Sequence, residues 1–295
     1  MRQRFTKSTI LILLLLCISS SACRSQDAPT KDKQYAVSIS YTPVLNTPDF
    51  DSVFGGTDGS TIKEDDQGLI RELEYIALPN TVFEIREVHP RGEYEIYEIT
   101  TEDYPYTSSP LYIDSRFVKT SVERPKGREK IMPSKDEILR NMQALEGYPY
   151  MWGGNYGEGI PALLELYPPK APILDNTKRN WSLKGVDCSG LIYQATSGNT
   201  PRNTSSLVKY GEAVNIEGKS AEEIAEMVEP LDLIVWKGHV IIVLDGNTTI
   251  ESAPPEGVFK SGLLERLQSV MEKKLPVNDW DSADGDRFVI RRWVQ

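Results

Sequence analysis

Gly185-Val186-Asp187-Cys188-Ser189-Gly190-Leu191-Ile192-Tyr193 places one cysteine where a turn runs into an apolar stretch. The run after Ser189 reads as a helix starting at or near Cys188. A helix N-terminus carries positive partial charge and unpaired N–H groups, and both favour a thiolate over a thiol. The same N–H groups could hold an oxyanion. Gly190, one turn in, would allow close packing against another element. A cysteine in this setting is either buried and inert or kept for its chemistry.

The chain has 295 residues and three cysteines, Cys17, Cys23 and Cys188. The first two belong to an address. Arg2, Arg4 and Lys7 give a positive start, and Ile10 to Ile18 (ILILLLLCI) run apolar without a break. Such a stretch rises about 13 Å as a helix, far short of a hydrocarbon core of about 30 Å. Residues 1–22 therefore read as a secretory signal with a small-residue exit, Ser19-Ser20-Ser21-Ala22. Cys23 follows at once. A cysteine behind such an exit resembles the bacterial lipobox, although Ser20 stands where that pattern usually has Leu. The resemblance implies a lipid on Cys23, membrane anchoring on the periplasmic face of the bacterial envelope, and the outer membrane as one destination. Residues 23–34 are polar and suit a tether. Cys188 is then the one free thiol of an exported protein, a setting in which cysteines are normally paired or absent.

A thiolate nucleophile needs a base, usually His, and the chain has two. His89 lies in Val88-His89-Pro90-Arg91-Gly92, which reads as a turn between two strands, so His89 is expected to be an exposed loop residue. His239 opens the apolar strand His239-Val240-Ile241-Ile242-Val243-Leu244. Asp245-Gly246-Asn247 is a hairpin signal, and Thr248-Thr249-Ile250-Glu251-Ser252 is the return strand. Glu251 thus comes nearly opposite His239, where it could orient the ring. Register parity stays open, as does the reading of Glu251 as an exposed strand carboxylate.

Composition limits the alternatives. The chain is 39% hydrophobic, which excludes a disordered protein and allows one large domain or two ordinary ones. Lys and Arg number 33 against 43 Asp and Glu, for a net charge of −10 without a long basic run. That argues against a nucleic-acid partner. Two distant His and one thiol do not make a zinc site, and no cofactor is implied.

Four motifs now stand in order: Tyr150-Met151-Trp152-Gly153-Gly154, then Asp187-Cys188-Ser189-Gly190-Leu191, then Pro201-Arg202-Asn203-Thr204, then Asp232-Leu233-Ile234-Val235-Trp236 with Gly238-His239-Val240. Together they resemble the NlpC/P60 family of cell-wall cysteine peptidases, over roughly residues 135–295. The resemblance implies a papain-like α+β fold, with a helix carrying the Cys packed on an antiparallel sheet carrying the His. It implies Cys188 as nucleophile, His239 as base and Glu251 in the third, polar position. Tyr150 would place its hydroxyl near the nucleophile. Trp152, Asp187 and Ser189 would line the substrate groove, and Arg202, Asn203 and Thr204 would sit where relatives hold the free amine of a terminal L-Ala. The implied partners are peptide stems of peptidoglycan, cut between D-Glu (through its γ-carboxyl) and the diamino acid. The alternatives are a non-catalytic peptidoglycan-binding lipoprotein, or an amidase or acyltransferase on the same fold. A monomer is expected.

Three departures from the family pattern matter. Glu251 replaces the more usual His, Asn or Gln. Asn203 removes a negative charge from the amine-binding position. The span 155–186 is longer than usual and contains Pro161, Pro168, Pro169, Pro172, Tyr156, Tyr167 and Trp181. We read it as a loop over the groove with a short helix at Ala162–Leu166.

Residues 35–122 hold strand-like runs at Tyr35–Tyr41, Gly68–Ile76, Val82–Val88, Tyr94–Thr100 and Leu111–Val118, separated by turn signals. Short strands with frequent turns suggest a small β-barrel, and the pattern resembles a bacterial SH3 (SH3b) domain. In relatives with this architecture the SH3 unit helps wall off the substrate end, which makes Glu72, Tyr75, Tyr106 and Tyr112 candidates. Residues 123–134 are charged and Pro-containing and read as a linker. The catalytic half, 135–295, opens with the capping box Ser134/Glu137, and Ser220/Glu223 repeats the signature. Residues 287–294 read as a closing strand.

Overall fold

The structure is a computed structural model that describes residues 34–282 and 284–294. The expected signal, Cys23 and the tether up to residue 33 lie outside the described residues. Among the described residues no helix is long and apolar enough to cross a membrane.

The first half is built from strands β1 (Gln34–Ser38) and β2 (Thr42–Leu45), a one-turn helix α1 (Phe50–Val53), and strands β3 (Leu73–Ala77), β4 (Val82–Arg91), β5 (Tyr94–Thr100), β6 (Leu111–Asp114) and β7 (Val118–Ser121). They form one antiparallel sheet in the order β3-β2-β6-β5-β4-β1-β7. The β4–β5 hairpin is tighter than expected. Arg91 pairs with Tyr94, so the turn is Gly92 and Glu93, and Gly92 supplies the positive φ of +73°. His89 therefore lies within β4 opposite Ile96, not in a loop.

The second half follows the chain as α2 (Lys135–Gln143), β8 (Asn155–Tyr156), α3 (Ala162–Leu166), α4 (Asp175–Trp181), β9 (Gly185–Val186), α5 (Cys188–Ala195), α6 (Thr204–Leu207), β10 (Glu212–Val214), α7 (Ala221–Met227), β11 (Leu233–Trp236), β12 (His239–Val243), β13 (Thr248–Ala253), β14 (Gly257–Gly262), α8 (Leu263–Met271), β15 (Leu275–Pro276) and β16 (Arg287–Arg292). Both expected capping boxes form: Ser134 and Glu137 start α2, and Ser220 and Glu223 start α7. The sheet runs β10-β16-β11-β12-β13-β14 with antiparallel pairing, and β15 adds a parallel pair to β16. Strand β12 is apolar at every position after His239 because both its faces are covered. Val240 and Ile242 pack with residues of α2 and α5, while Ile241 and Val243 pack with residues of α7 and α8.

The span 155–186 does not form a loop over the groove. Helix α3 falls at Ala162–Leu166 as expected, but it packs into the core of the first half together with α4. Leu163, Trp181 and Leu183 are fully buried there with Phe50, Phe54 and Tyr167. Large apolar side chains contribute roughly 1.5–3 kcal/mol each on burial, so the aromatic residues that looked like a lid fill the interior instead. Polar contacts complete the seam: Tyr167 donates to Asp114 at 2.7 Å, and the Trp181 indole N–H donates to the Tyr167 carbonyl at 3.0 Å. Edge strand β3 is closed by Asn155, whose amide accepts from Ile76 N–H at 2.9 Å and donates to Ile76 O at 2.8 Å.

Candidate active site

Strand β9 ends at Val186, and Asp187 then caps α5 by accepting the Gly190 N–H at 2.7 Å. This puts Cys188 at the first helical position, where backbone N–H groups have no partner within the helix. The rest of α5 is apolar and buried, so packing on the sheet holds the cysteine end in place. Gly190 is a steric requirement: a β-carbon there would lie 1.9 Å from the Gly154 carbonyl oxygen. Cys188 is 7% exposed and lines a cleft of about 330 Å³.

His239 starts β12 directly after Lys237 and Gly238, which line the cleft, with the tight turn at Gly238 (φ +111°). In the β12–β13 pairing Ile242 lies opposite Ile250. Continuing that register puts Glu251 level with Ile241, one diagonal step from His239 on the same face. The parity left open by the sequence is thereby settled, and His239 Nε2 lies 2.7 Å from Glu251 Oε2. The other ring nitrogen is left for the thiol. Burial pushes the imidazole down, but hydrogen bonding and charge interaction with Cys188 and Glu251 outweigh it and raise the pKa to about 9. The ring therefore stays protonated through neutral pH. Because the folded value is raised, the stability it contributes is complete below the ordinary imidazole range and is lost as pH climbs through about 9.

Glu251 is 1% exposed, and no sequence pattern pointed to what holds it there. Arg266 on α8 donates Nε–H to Oε1 at 2.6 Å and Nη2–H to Oε2 at 2.9 Å. Burial raises the carboxyl pKa, but the His239 and Arg266 contacts win and the group titrates lower than usual. The partnership joins a strand to the helix that follows the next strand. Neither spacing nor residue type marks it in the chain.

The floor is braced by Arg202, which is 3% exposed. Its Nε–H donates to Asn155 Oδ1, Nη1 donates to Asp187 Oδ1 and Ser189 Oγ, and Nη2 donates to Gly154 O and Asp187 Oδ2, at 2.7–3.1 Å. Those bonds use all five N–H groups of a guanidinium, so none is left for a ligand. Arg202, Asp187 and Ser189 thus line the cleft but spend their polar groups on its shape. Asn203 caps α6 through Ser205 N–H at 3.2 Å, and Thr204 Oγ1 accepts the Gly238 N–H at 2.9 Å, which ties down the turn before His239.

Tyr150 and Trp152 line the cleft. Burial, then the charges of Asp187 and Cys188, push the Tyr150 phenol up, so it remains a donor. The Arg71 guanidinium stacks 4.2 Å from the Trp152 ring centroid. From the first half it is Arg71, Leu73, Glu74 and Tyr104 that reach the cleft. Tyr104 OH donates to Glu74 at 3.0 Å, and its ring stacks on Tyr75 at 4.5 Å. Glu72, Tyr106 and Tyr112 are not brought to the cleft: Glu72 pairs with Lys63 at 2.7 Å, Tyr106 packs edge-on against Tyr104, and Tyr112 is buried in β6. Glu72 lies just before the first residue of β3, whereas Glu74 lies within the strand. Among the described residues, ligand atoms that would converge on a metal ion belong to Glu87, His89 and Glu98, none of which lines the cleft.

The arrangement can generate a thiolate–imidazolium pair, present helix N–H groups and a phenol to an oxyanion, and protonate a leaving group.

No family model matches the sequence, and no curated protein matches it. Solved structures that resemble the chain include NlpC/P60 proteins. An NlpC/P60 family protein of Bacillus cereus aligns with 90% of this chain and 64% of its own, at 15% identity and a TM-score of 0.34. NlpC1 of Trichomonas vaginalis aligns with 88% of this chain and 69% of its own, at 13% identity and a TM-score of 0.31. RipD of Mycobacterium tuberculosis, a non-catalytic NlpC/p60 domain protein adapted to peptidoglycan binding, aligns with 45% of this chain and 89% of its own, at 19% identity and a TM-score of 0.31. The chain spans just under two thirds of the Bacillus cereus protein.

Proposed function

We propose that this protein is an envelope cysteine peptidase that hydrolyses peptide stems of peptidoglycan at the bond between the D-Glu γ-carboxyl and the diamino acid. The observation that carries the reading is Cys188 at the first position of α5, lining a cleft and interacting with His239, whose far nitrogen is held by Glu251. The thiolate attacks the carbonyl carbon, and the oxyanion is met by N–H groups of α5 and the Tyr150 hydroxyl. The C–N bond breaks and the imidazolium gives its proton to the leaving amine. Water then attacks the thioester, passes a proton to His239, and releases the carboxylate and the thiolate. Residues 35–122 are read as an SH3-like module whose Glu74 suits an ammonium group on the stem, a charge that neutral Asn203 does not supply. Residues 135–295 are read as the catalytic domain.

The test is alkylation followed by product analysis. Iodoacetamide at pH 7 should modify Cys188 at least about tenfold faster than in a His239→Ala variant. Mass spectrometry of defined tri- and tetrapeptide stems should show a free D-Glu γ-carboxyl and a new amine on the diamino acid. Intact stems together with an unreactive thiol would support a non-catalytic stem-binding protein instead. Cleavage elsewhere or a new acyl linkage would support an amidase or an acyltransferase.

The leader carries its own prediction. Cys23→Ser should shift the protein from the membrane fraction to the soluble fraction and abolish palmitate labelling. Persistent membrane association would remove the lipid anchor from the account.

A further inference from the structure

Glu251 puts a buried carboxylate behind the His239 imidazole. An isolated carboxylate at a 1% exposed position costs free energy to ionise. Once ionised, it would also hold the imidazolium so tightly that the ring becomes a weak proton donor and a scarce neutral base. The geometry answers both points. Arg266 meets both oxygens of Glu251, and one of them, Oε2, is shared with His239 Nε2. The carboxylate plane is therefore set by the guanidinium fork, and the charge the ring faces is that of a compensated pair.

We propose that Arg266 and Glu251 act as one electrically balanced acceptor behind His239, and that Arg266 is a positioning residue which keeps the imidazole able both to donate and to accept a proton. This rests on the reading of His239 as the acid and base of the reaction. The groups that face the ring are Cys188 from α5, Glu251 from β13 and, behind the carboxylate, Arg266 from α8. Lys237 lies in the preceding turn and lines the cleft. The two members of the pair have opposite charges, so their separate removal moves the ring in opposite directions. Loss of Glu251 leaves a cation behind the imidazolium. Loss of Arg266 leaves an uncompensated anion.

The experiment is a double-mutant cycle read by histidine NMR and by turnover, in the full chain. The chain has two histidines, so His239 is assigned by comparison with His89→Gln. Glu251→Gln should lower the pH at which His239 titrates by roughly one unit or more, and Arg266→Met should raise it by about one unit. Glu251→Gln/Arg266→Met should fall between the two, and Arg266→Lys should stay close to the parent. On muropeptide, each single variant should lose at least about tenfold in kcat with KM within about twofold. The double variant should be about tenfold more active than the poorer single, because a neutral Gln again faces the ring without an unpaired neighbour. Melting temperatures identify any variant that fails to fold, and the cycle is then read from Arg266→Lys and the double variant. The proposal is overturned if Arg266→Met leaves the titration unmoved or lowers it, or if the double variant is no more active than the poorer single. If the parent chain turns over no muropeptide, the peptidase reading fails, while the NMR arm still decides whether Arg266 balances Glu251.

Discussion

If the proposed peptidase reading holds, replacing Cys188 with alanine should abolish stem-peptide hydrolysis while leaving the fold in place. The side chain contributes one sulfur at the first turn of α5, and the helix is held by Leu191, Ile192 and Ala195, each fully buried. The Asp187 cap and the Arg202 brace do not involve the sulfur. The melting temperature should therefore stay within a few degrees of the parent, since small changes near a partly open site cost little. Turnover should fall by on the order of 10⁴-fold or more, because the covalent route is lost and only binding and oxyanion contacts remain. Undiminished product formation in the alanine variant would remove the cysteine from the mechanism, whatever the geometry around it.

Replacing Arg202 with methionine should give the largest loss of stability of any single change at the cleft. The methionine would leave Asp187 without its buried cation, and would remove one of the two donors that Asn155 Oδ1 and Gly154 O each now accept from. Breaking one side of a buried ion pair costs about 3–5 kcal/mol, which for a chain of this size lowers the melting temperature by roughly 6–15 °C. The damage should reach the chemistry too, since Asp187 is the cap that positions Cys188. Alkylation by iodoacetamide should slow in parallel. Adding Asp187→Asn should recover part of the stability, because the leftover charge is then gone. A melting temperature within two degrees of the parent in the single variant would show that Arg202 does not brace the floor.

Local signals in the chain are legible where the physics is local. Ser134 and Ser220 mark helix starts because a cap needs one side chain and the backbone three residues on. The start of α5 is legible from the apolar run after Ser189, while the Asp187 cap that fixes it and the close approach at Gly190 belong to the structure. The His239 strand was legible as an apolar run, because a strand covered on both faces leaves no polar positions. The aromatic residues of 155–186 misled for a related reason. A Trp or Tyr in a proline-rich stretch looks the same on paper whether it will cover a groove or fill a core.

By itself, then, the sequence determined an α+β protein with a cysteine at a helix start, a histidine at a strand mouth and a carboxylate on the return strand. Each of those follows from a pattern only a few residues long. Tertiary structure alone decided the parity that turns Glu251 toward His239, the arrival of Arg266 behind it, the use of every Arg202 donor on the floor, and the choice of Glu74 and Tyr104 over Glu72 and Tyr106 at the cleft. These depend on strand register and on contacts between segments far apart in the chain. A shift of one residue in a strand exchanges its two faces, and nothing within the strand's own residues reports which partner will lie across from it.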